Sequence, residues 1–245
     1  MKKQYLLIPG FPPVSEYYKE WAAEIEAKYS DVCVEYADTD LFFSKKLNYV
    51  EYNEIAIKHY ENVILKLFST GPVTIIGHST GGYFALRLLE RNKQKIEKIV
   101  LICPYIGNST MNFFKYAVVT YWIDRFLPLS QSVSLFINLF KKYFKYLNEL
   151  SLREINVYFR FGFKQNTYFN KTKFNTKPFE GGHDKIIFYY VKDDTWCPES
   201  TIELLKSLSC QSRELPISHG FILNKNERAI MAQEIFGANI DNHDN

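Results

Sequence analysis

The sequence predicts an α/β fold: a mostly parallel sheet of about six strands flanked by helices, with a helical cap inserted after the fourth strand. Three observations point there. Short apolar runs alternate with segments whose apolar residues recur at helical spacing, the pattern of parallel strands joined by crossover helices. That alternation stops between about residues 107 and 182, where only the helical spacing persists, as in Phe136, Leu139, Phe140, Tyr143, Phe144 and Leu147. The chain has 245 residues, enough to bury one full core without disulfides or a structural metal. The expected organisation is a core of residues 1–106 and 183–245 and a helical, aromatic-rich, basic cap of 107–182.

The first strand is Tyr5 to Ile8, ended by Pro9-Gly10. Ser15 is placed to cap a helix that carries Trp21 and Ile25 on one face and charges on the other. Val32 to Tyr36 forms the second strand, and Val50 to Phe68 a helix with Ile57, Tyr60, Ile64, Leu65 and Phe68 near helical spacing. Gly71-Pro72 opens a third strand, Val73 to Ile76; a glycine-rich turn and a helix, Tyr83 to Arg91, follow. Lys98 to Ile102 is the fourth strand, stopped by Pro104. After the insertion come a strand at Ile186 to Val191 and a helix opened by Pro198-Glu199-Ser200. A weak strand near Ser212 to Leu215 and a last helix, Lys225 to Phe236, precede a polar tail.

Composition excludes several classes. Apolar residues make up 47% and charged residues 23%, so a disordered or fibrous chain is ruled out. A net charge of +3 is too small to make nucleic acid the main partner. The unusual figure is 17% aromatic, and it is local: residues 105–170 hold 18 of the 41 aromatics, with eight Lys or Arg against three Asp or Glu. One segment is thus both apolar and basic, which suits a lipid-like substrate and contact with an anionic lipid surface; the plainer alternative is that its aromatics only pack the cap. Cys33, Cys103, Cys197 and Cys210 show no CxxC or zinc-like spacing and read as small buried residues in a reducing compartment. The apolar run after Lys2 and Lys3 is too short for a signal peptide. The uncharged stretch Phe126 to Phe140 contains Pro128 and several polar residues and cannot span a bilayer as a helix. The expected location is cytoplasmic, with peripheral contact at a membrane or lipid droplet surface.

The chemistry centres on Gly77-His78-Ser79-Thr80-Gly81, a Gly-x-Ser-x-Gly between a predicted strand and a predicted helix. A sharp turn there exposes the serine hydroxyl, the glycines remove clashing side chains, and the following helix turns its positive end toward developing negative charge. Ser79 then needs a base and an orienting acid, in the chain order Ser, Asp or Glu, His. His219 stands in the loop before the last helix, and Asp193-Asp194 follow a strand end. Asp194 is favoured over Asp193 because it lies three residues before Cys197-Pro198, where a helix opens. His59, His78, His183 and His243 are assigned structural or surface roles. The oxyanion hole is expected to combine the backbone N–H of Thr80 with one from the loop after the first strand. Pro12 and Pro13 have no N–H, so Phe11 is the natural donor and Gly10 the second. The reading needs no metal and no cofactor.

With these residues assembled, the chain resembles the α/β-hydrolase superfamily and, more narrowly, the lipid droplet-associated hydrolase family. The narrower resemblance rests on Ile8-Pro9-Gly10, on Gly77-His78-Ser79 with Gly81 and Tyr83, on Asp194-Thr195-Trp196-Cys197-Pro198, and on His219-Gly220-Phe221. The Asp-x-Trp-Cys-Pro block is the most specific of these and also selects Asp194. The resemblance implies an α/β-hydrolase fold with a helical cap and serine-dependent hydrolysis of a lipid ester. Two departures stand out: Phe11-Pro12-Pro13 replaces the family's Asn-Pro-Gly, and the sequence starts almost at this loop, so the two leading strands common in the superfamily are expected to be missing. Two other readings compete. A thioesterase, small-ester carboxylesterase or peptidase would use the same residues, and a non-catalytic lipid-binding or scaffold protein could use the same fold.

Overall fold

A computed structural model describes residues 2–11, 15–37, 49–106, 183–194, 196–197 and 199–237. The chain divides into two compact units, one of residues 1–106 and 174–245 and one of 107–173, and every described element belongs to the first. The expected cap of 107–182, Pro12 and Pro13, Pro198 and the tail with His243 lie outside the described residues.

The described elements are β1 (Lys3–Ile8), α1 (Ser15–Lys28), β2 (Val32–Tyr36), α2 (Tyr49–Phe68), β3 (Val73–His78), α3 (Gly81–Asn92), β4 (Ile96–Ile102), β5 (Ile186–Tyr190), α4 (Glu199–Ser207), β6 (Gln211–Glu214) and α5 (Lys225–Phe236). Single 3₁₀ turns precede β5 at His183–Lys185 and α5 at Phe221–Leu223. All six expected strands and all five expected helices of this unit form. Differences are confined to the ends: β3 runs on through Gly77 and His78, β4 starts at Ile96, and Ser15 is the first helical residue of α1.

The six strands form one sheet in the order β2-β1-β3-β4-β5-β6, and every neighbouring pair is parallel. Central β3, Val-Thr-Ile-Ile-Gly-His, is buried at all six positions, as a strand covered on both faces must be. Edge strand β6 is exposed at all four of its residues, which explains its weak apolar signal.

Helices close over the sheet through specific anchors. Trp21 of α1 is fully buried, meets Phe221 edge-on at 5.2 Å between centroids, and donates its indole N–H to Arg228 O at 3.1 Å. The buried Arg228 guanidinium donates to both Glu24 oxygens at 2.9 and 2.8 Å and to Ile222 O at 2.9 Å, tying α5 to α1. Two parallel bonds from one planar group to one carboxylate satisfy a charge that would otherwise be costly to bury. Asn224 caps α5, accepting from the N–H groups of Asn226 and Glu227. Glu227 in turn accepts from Ser218 N–H at 2.9 Å and Ser218 Oγ at 2.7 Å, fixing the loop between β6 and α5. Among the described residues no helix is long and apolar enough to cross a membrane.

Candidate active site

In a parallel sheet the C-terminal strand ends all lie along one edge, and the chain reverses direction across the sheet between β1 and β3. A crevice opens at such a reversal. Four loops meet beside it: Pro9 to Phe11 after β1, Ser79-Thr80 after β3, Asp194 after β5 and His219 after β6.

Ser79 sits in the turn from β3 into α3 with φ of +50°, in the left-handed region that non-glycine residues rarely occupy. Surrounding bonds hold it there. Ser79 N–H donates to Ile102 O at 2.9 Å, and Ser79 O accepts from Gly82 N–H and Tyr105 N–H, each at 2.9 Å. Glycine is required on both sides. A Cβ on Gly77 would stand 2.7 Å from Gly81 O, and one on Gly81 would stand 2.7 Å from Pro9 O. The strand, the turn and the loop after β1 are therefore stacked at backbone contact.

The structure brings the three predicted side chains together. His219 Nε2 is 3.0 Å from Ser79 Oγ, and His219 Nδ1 is 2.8 Å from Asp194 Oδ2. The Asp194 side chain is 1% exposed and that of His219 is 19% exposed, so the carboxylate is sealed while the imidazole is partly open. Burial alone would push the Asp194 carboxyl up. Hydrogen bonding from His219 and from the N–H groups of Trp196 and Cys197 outweighs it and holds the carboxyl below the usual range. The Trp196 N–H bond to Asp194 Oδ1 measures 2.8 Å. Neighbouring Asp193 is exposed and lies in a turn with φ of +56°, and it is Asp194 that meets His219.

Of the expected oxyanion donors, Thr80 follows Ser79 directly, and Phe11 follows Gly10, where an added Cβ would stand 3.0 Å from Ser79 Cβ. Thr80 immediately precedes α3, and none of the hydrogen bonds among the described residues uses its N–H. The Gly10 N–H donates instead to the Tyr18 hydroxyl at 2.8 Å, so this second candidate of the loop is already engaged.

Sequence reasoning missed how His78 is used. Its ring is 4% exposed and bonded at both nitrogens, 2.6 Å from Tyr18 Oη and 2.9 Å from His219 O. Burial first, then the charge on His219, lowers its pKa to about 3, so the ring is neutral. Tyr18 lies sixty positions away on α1, and no spacing rule connects the two. The other described histidines stay apart from this cluster: His59 lies on α2 with its ring beside Tyr60, and His183 is exposed before β5.

Cys103, buried with φ of +45°, brings a third metal-ligating side chain beside Asp194 and His219, the ligand atoms lying within 4.8 Å of one another. The His219–Asp194 contact of 2.8 Å is shorter than the ~3.3 Å separating two ligands on a tetrahedral zinc ion. The cluster is thus hydrogen-bonded acid and base rather than a preformed metal cage. All four cysteines are unpaired; Cys33 is half-buried and the other three are buried.

Solved structures define the class. A carboxylesterase from the thaumarchaeon Nitrososphaera gargenis superposes with a TM-score of 0.66 at 14% identity, covering 97% of this chain and 90% of that one. An esterase from Exiguobacterium antarcticum gives 0.64 at 14% identity, covering 96% and 91%. The 2-hydroxy-6-oxo-6-phenylhexa-2,4-dienoate hydrolase of Rhodococcus sp. strain RHA1 gives 0.63 at 14% identity, also covering 96% and 91%. At such identities the likeness shows the fold, and that fold is the α/β-hydrolase fold. No curated protein matches the sequence. The family model for lipid-droplet associated hydrolases matches residues 1–222, and the chain belongs to that family. It is a hydrolase.

Proposed function

We propose that this hydrolase cleaves a carboxylic ester of a lipid-like substrate through an acyl-enzyme on Ser79. One observation carries the reading: the continuous line Asp194–His219–Ser79, with contacts of 2.8 and 3.0 Å, that ends on a serine in a strained turn. His219 Nε2 takes the Ser79 proton as Oγ attacks the ester carbonyl, and the N–H groups of Thr80 and Phe11 hold the oxyanion. His219 returns that proton to the departing alcohol. It then deprotonates water, which releases the acid and restores Ser79. Asp194 keeps the Nδ1–H tautomer and stabilises the imidazolium without taking the proton.

The lipid part of the reading is supported by the family and by composition. The family is named for lipid droplets, and residues 105–170 carry 18 of the 41 aromatics with an excess of lysine and arginine. That composition suits an ester with a long or bulky acyl group and contact with an anionic lipid surface.

A panel of p-nitrophenyl esters and thioesters from acetyl to palmitoyl tests the substrate class. Rising kcat/KM toward octanoyl and longer esters, abolished by Ser79→Ala, is expected. Preference for acetyl would exclude the lipid reading, and preference for thioesters would make the chain a thioesterase. Co-sedimentation with anionic but not neutral vesicles tests the surface contact; equal sedimentation with both would remove it.

A further inference from the structure

Four segments of the chain meet in a single run of hydrogen bonds behind the nucleophile. Gly10 N–H donates to Tyr18 Oη at 2.8 Å, Tyr18 Oη lies 2.6 Å from His78 Nδ1, and His78 Nε2 lies 2.9 Å from His219 O. The ends of the run fix every proton in it. A backbone N–H can only donate and a backbone carbonyl can only accept. The Tyr18 hydroxyl, already accepting from Gly10, therefore gives its proton to His78 Nδ1, and His78 carries its own proton on Nε2 and gives it to His219 O. The other neutral tautomer would set the bare Nε2 against a carbonyl oxygen at 2.9 Å. A protonated ring would leave the Tyr18 proton without an acceptor at a site where that residue is 2% exposed.

Each attachment point adjoins a part of the reaction centre. Gly10 precedes Phe11, the loop donor to the oxyanion. His78 precedes Ser79. The carbonyl held at the far end belongs to His219 itself. Space is as tight as the bonding: a Cβ on Gly10 would stand 3.0 Å from both His78 Nδ1 and Ser79 Cβ and 3.2 Å from Tyr18 Oη. Phe221 closes the other side of the His78 ring, edge-on at 4.9 Å between centroids.

We propose that Tyr18 and His78 are positioning residues that hold the oxyanion loop, the nucleophile and the backbone of the base in one fixed arrangement through the bonds Gly10 N–H to Tyr18 to His78 to His219 O. They touch no reacting atom. Their effect is to keep the Phe11 N–H and His219 Nε2 aimed at a shared point, and such aim is what makes preorganised donors effective. The inference rests on the proposed role of Ser79 and His219.

The test is steady-state hydrolysis of p-nitrophenyl octanoate by the wild type, Tyr18→Phe, His78→Gln and His78→Leu, with active sites counted by fluorophosphonate titration and thermal midpoints recorded. Tyr18→Phe keeps the ring and removes only the hydroxyl. Per titrated site, kcat is expected to fall about ten- to a hundredfold with KM within about twofold. His78→Gln, whose amide can reach the place of Nε2 and donate to His219 O, is expected to retain more kcat than His78→Leu. Wild-type kcat per site in Tyr18→Phe, with any loss confined to the thermal midpoint, would reduce the pair to a structural role and overturn the proposal while leaving Ser79 catalysis standing. Equal kcat for His78→Gln and His78→Leu would overturn the His78 half. Absence of both hydrolysis and labelling in the wild type would overturn the proposed function and this inference with it.

Discussion

Asp194→Asn isolates the electrostatic and tautomeric role of the buried acid. Asp194 Oδ1 accepts the Trp196 N–H at 2.8 Å, and Oδ2 faces His219 Nδ1 at 2.8 Å. An asparagine must keep its oxygen toward the Trp196 N–H, because an amide NH₂ there would oppose a donor with a donor. Its NH₂ then faces Nδ1, which must accept, so the His219 proton moves to Nε2 and points at Ser79. A base carrying its proton on the working nitrogen cannot take another. Restoring the productive tautomer means losing a hydrogen bond in a sealed site and leaving two donors opposed, about 3–6 kcal/mol in all. That corresponds to roughly two to four powers of ten in kcat. The assay is initial-rate hydrolysis of p-nitrophenyl octanoate, with circular dichroism to confirm folding and Asp193→Asn as the control. Asparagine tolerates the left-handed turn at position 193, so that control is expected to stay within about twofold of wild type. Asp194→Asn retaining more than a tenth of wild-type kcat, or Asp193→Asn losing more than Asp194→Asn, would refute the assignment of the acid.

Three further outcomes follow from packing and protonation. Gly81→Ala drives a Cβ into Ile8 O and Pro9 O, backbone atoms that cannot swing aside, and is expected to cost about 3 kcal/mol in urea unfolding and to abolish activity; a folded, active variant would contradict the close stacking of the turn. Phe221→Ala empties a fully buried site against Trp21 and His78 and is expected to cost about 3–5 kcal/mol by the same measurement, against under 1 if the site were loose. Native His78 resists protonation until about pH 3, whereas the unfolded chain takes up that proton below about 6.5, so stability is present above 6.5 and is lost as pH falls toward 3. The ring contributes a loss of about 2 kcal/mol between pH 7 and pH 5, and the neighbouring Asp194 adds a further loss at lower pH because its native pKa is also depressed. Urea midpoints at the two pH values, with His78→Gln as comparison, check this; an unchanged slope in the variant would remove His78 as the cause.

Much of this architecture was legible because its signals are local. Ile75 and Ile76 sit in a run that has to be covered on both faces, and Pro9, Gly71 and Pro104 mark strand ends directly. The serine motif combines two constraints in five residues, since Gly77 and Gly81 are each needed for the same close approach that strains Ser79. Asp194 and His219 were legible through chain order and strand-end position. What escaped was long-range. In sequence Tyr18 is one aromatic among several on an amphipathic helix, and nothing in its neighbours says that its hydroxyl meets a ring sixty residues away. That this hydroxyl engages the Gly10 N–H is equally invisible in the sequence. Likewise, His78 reads as a residue placed by the turn, whereas its two bonds make it the link between the serine and the carbonyl of the base. β6 was faint for the opposite reason: an edge strand exposed at every position has no apolar face to advertise.

The central claim is that Ser79 is the nucleophile activated by His219. Intact-mass and peptide mapping after treatment with a fluorophosphonate tests it most directly. A single adduct on Ser79 is expected, absent in Ser79→Ala and formed at least a hundredfold more slowly in His219→Ala. No adduct on the folded wild-type protein, or an adduct on any other residue, would contradict it.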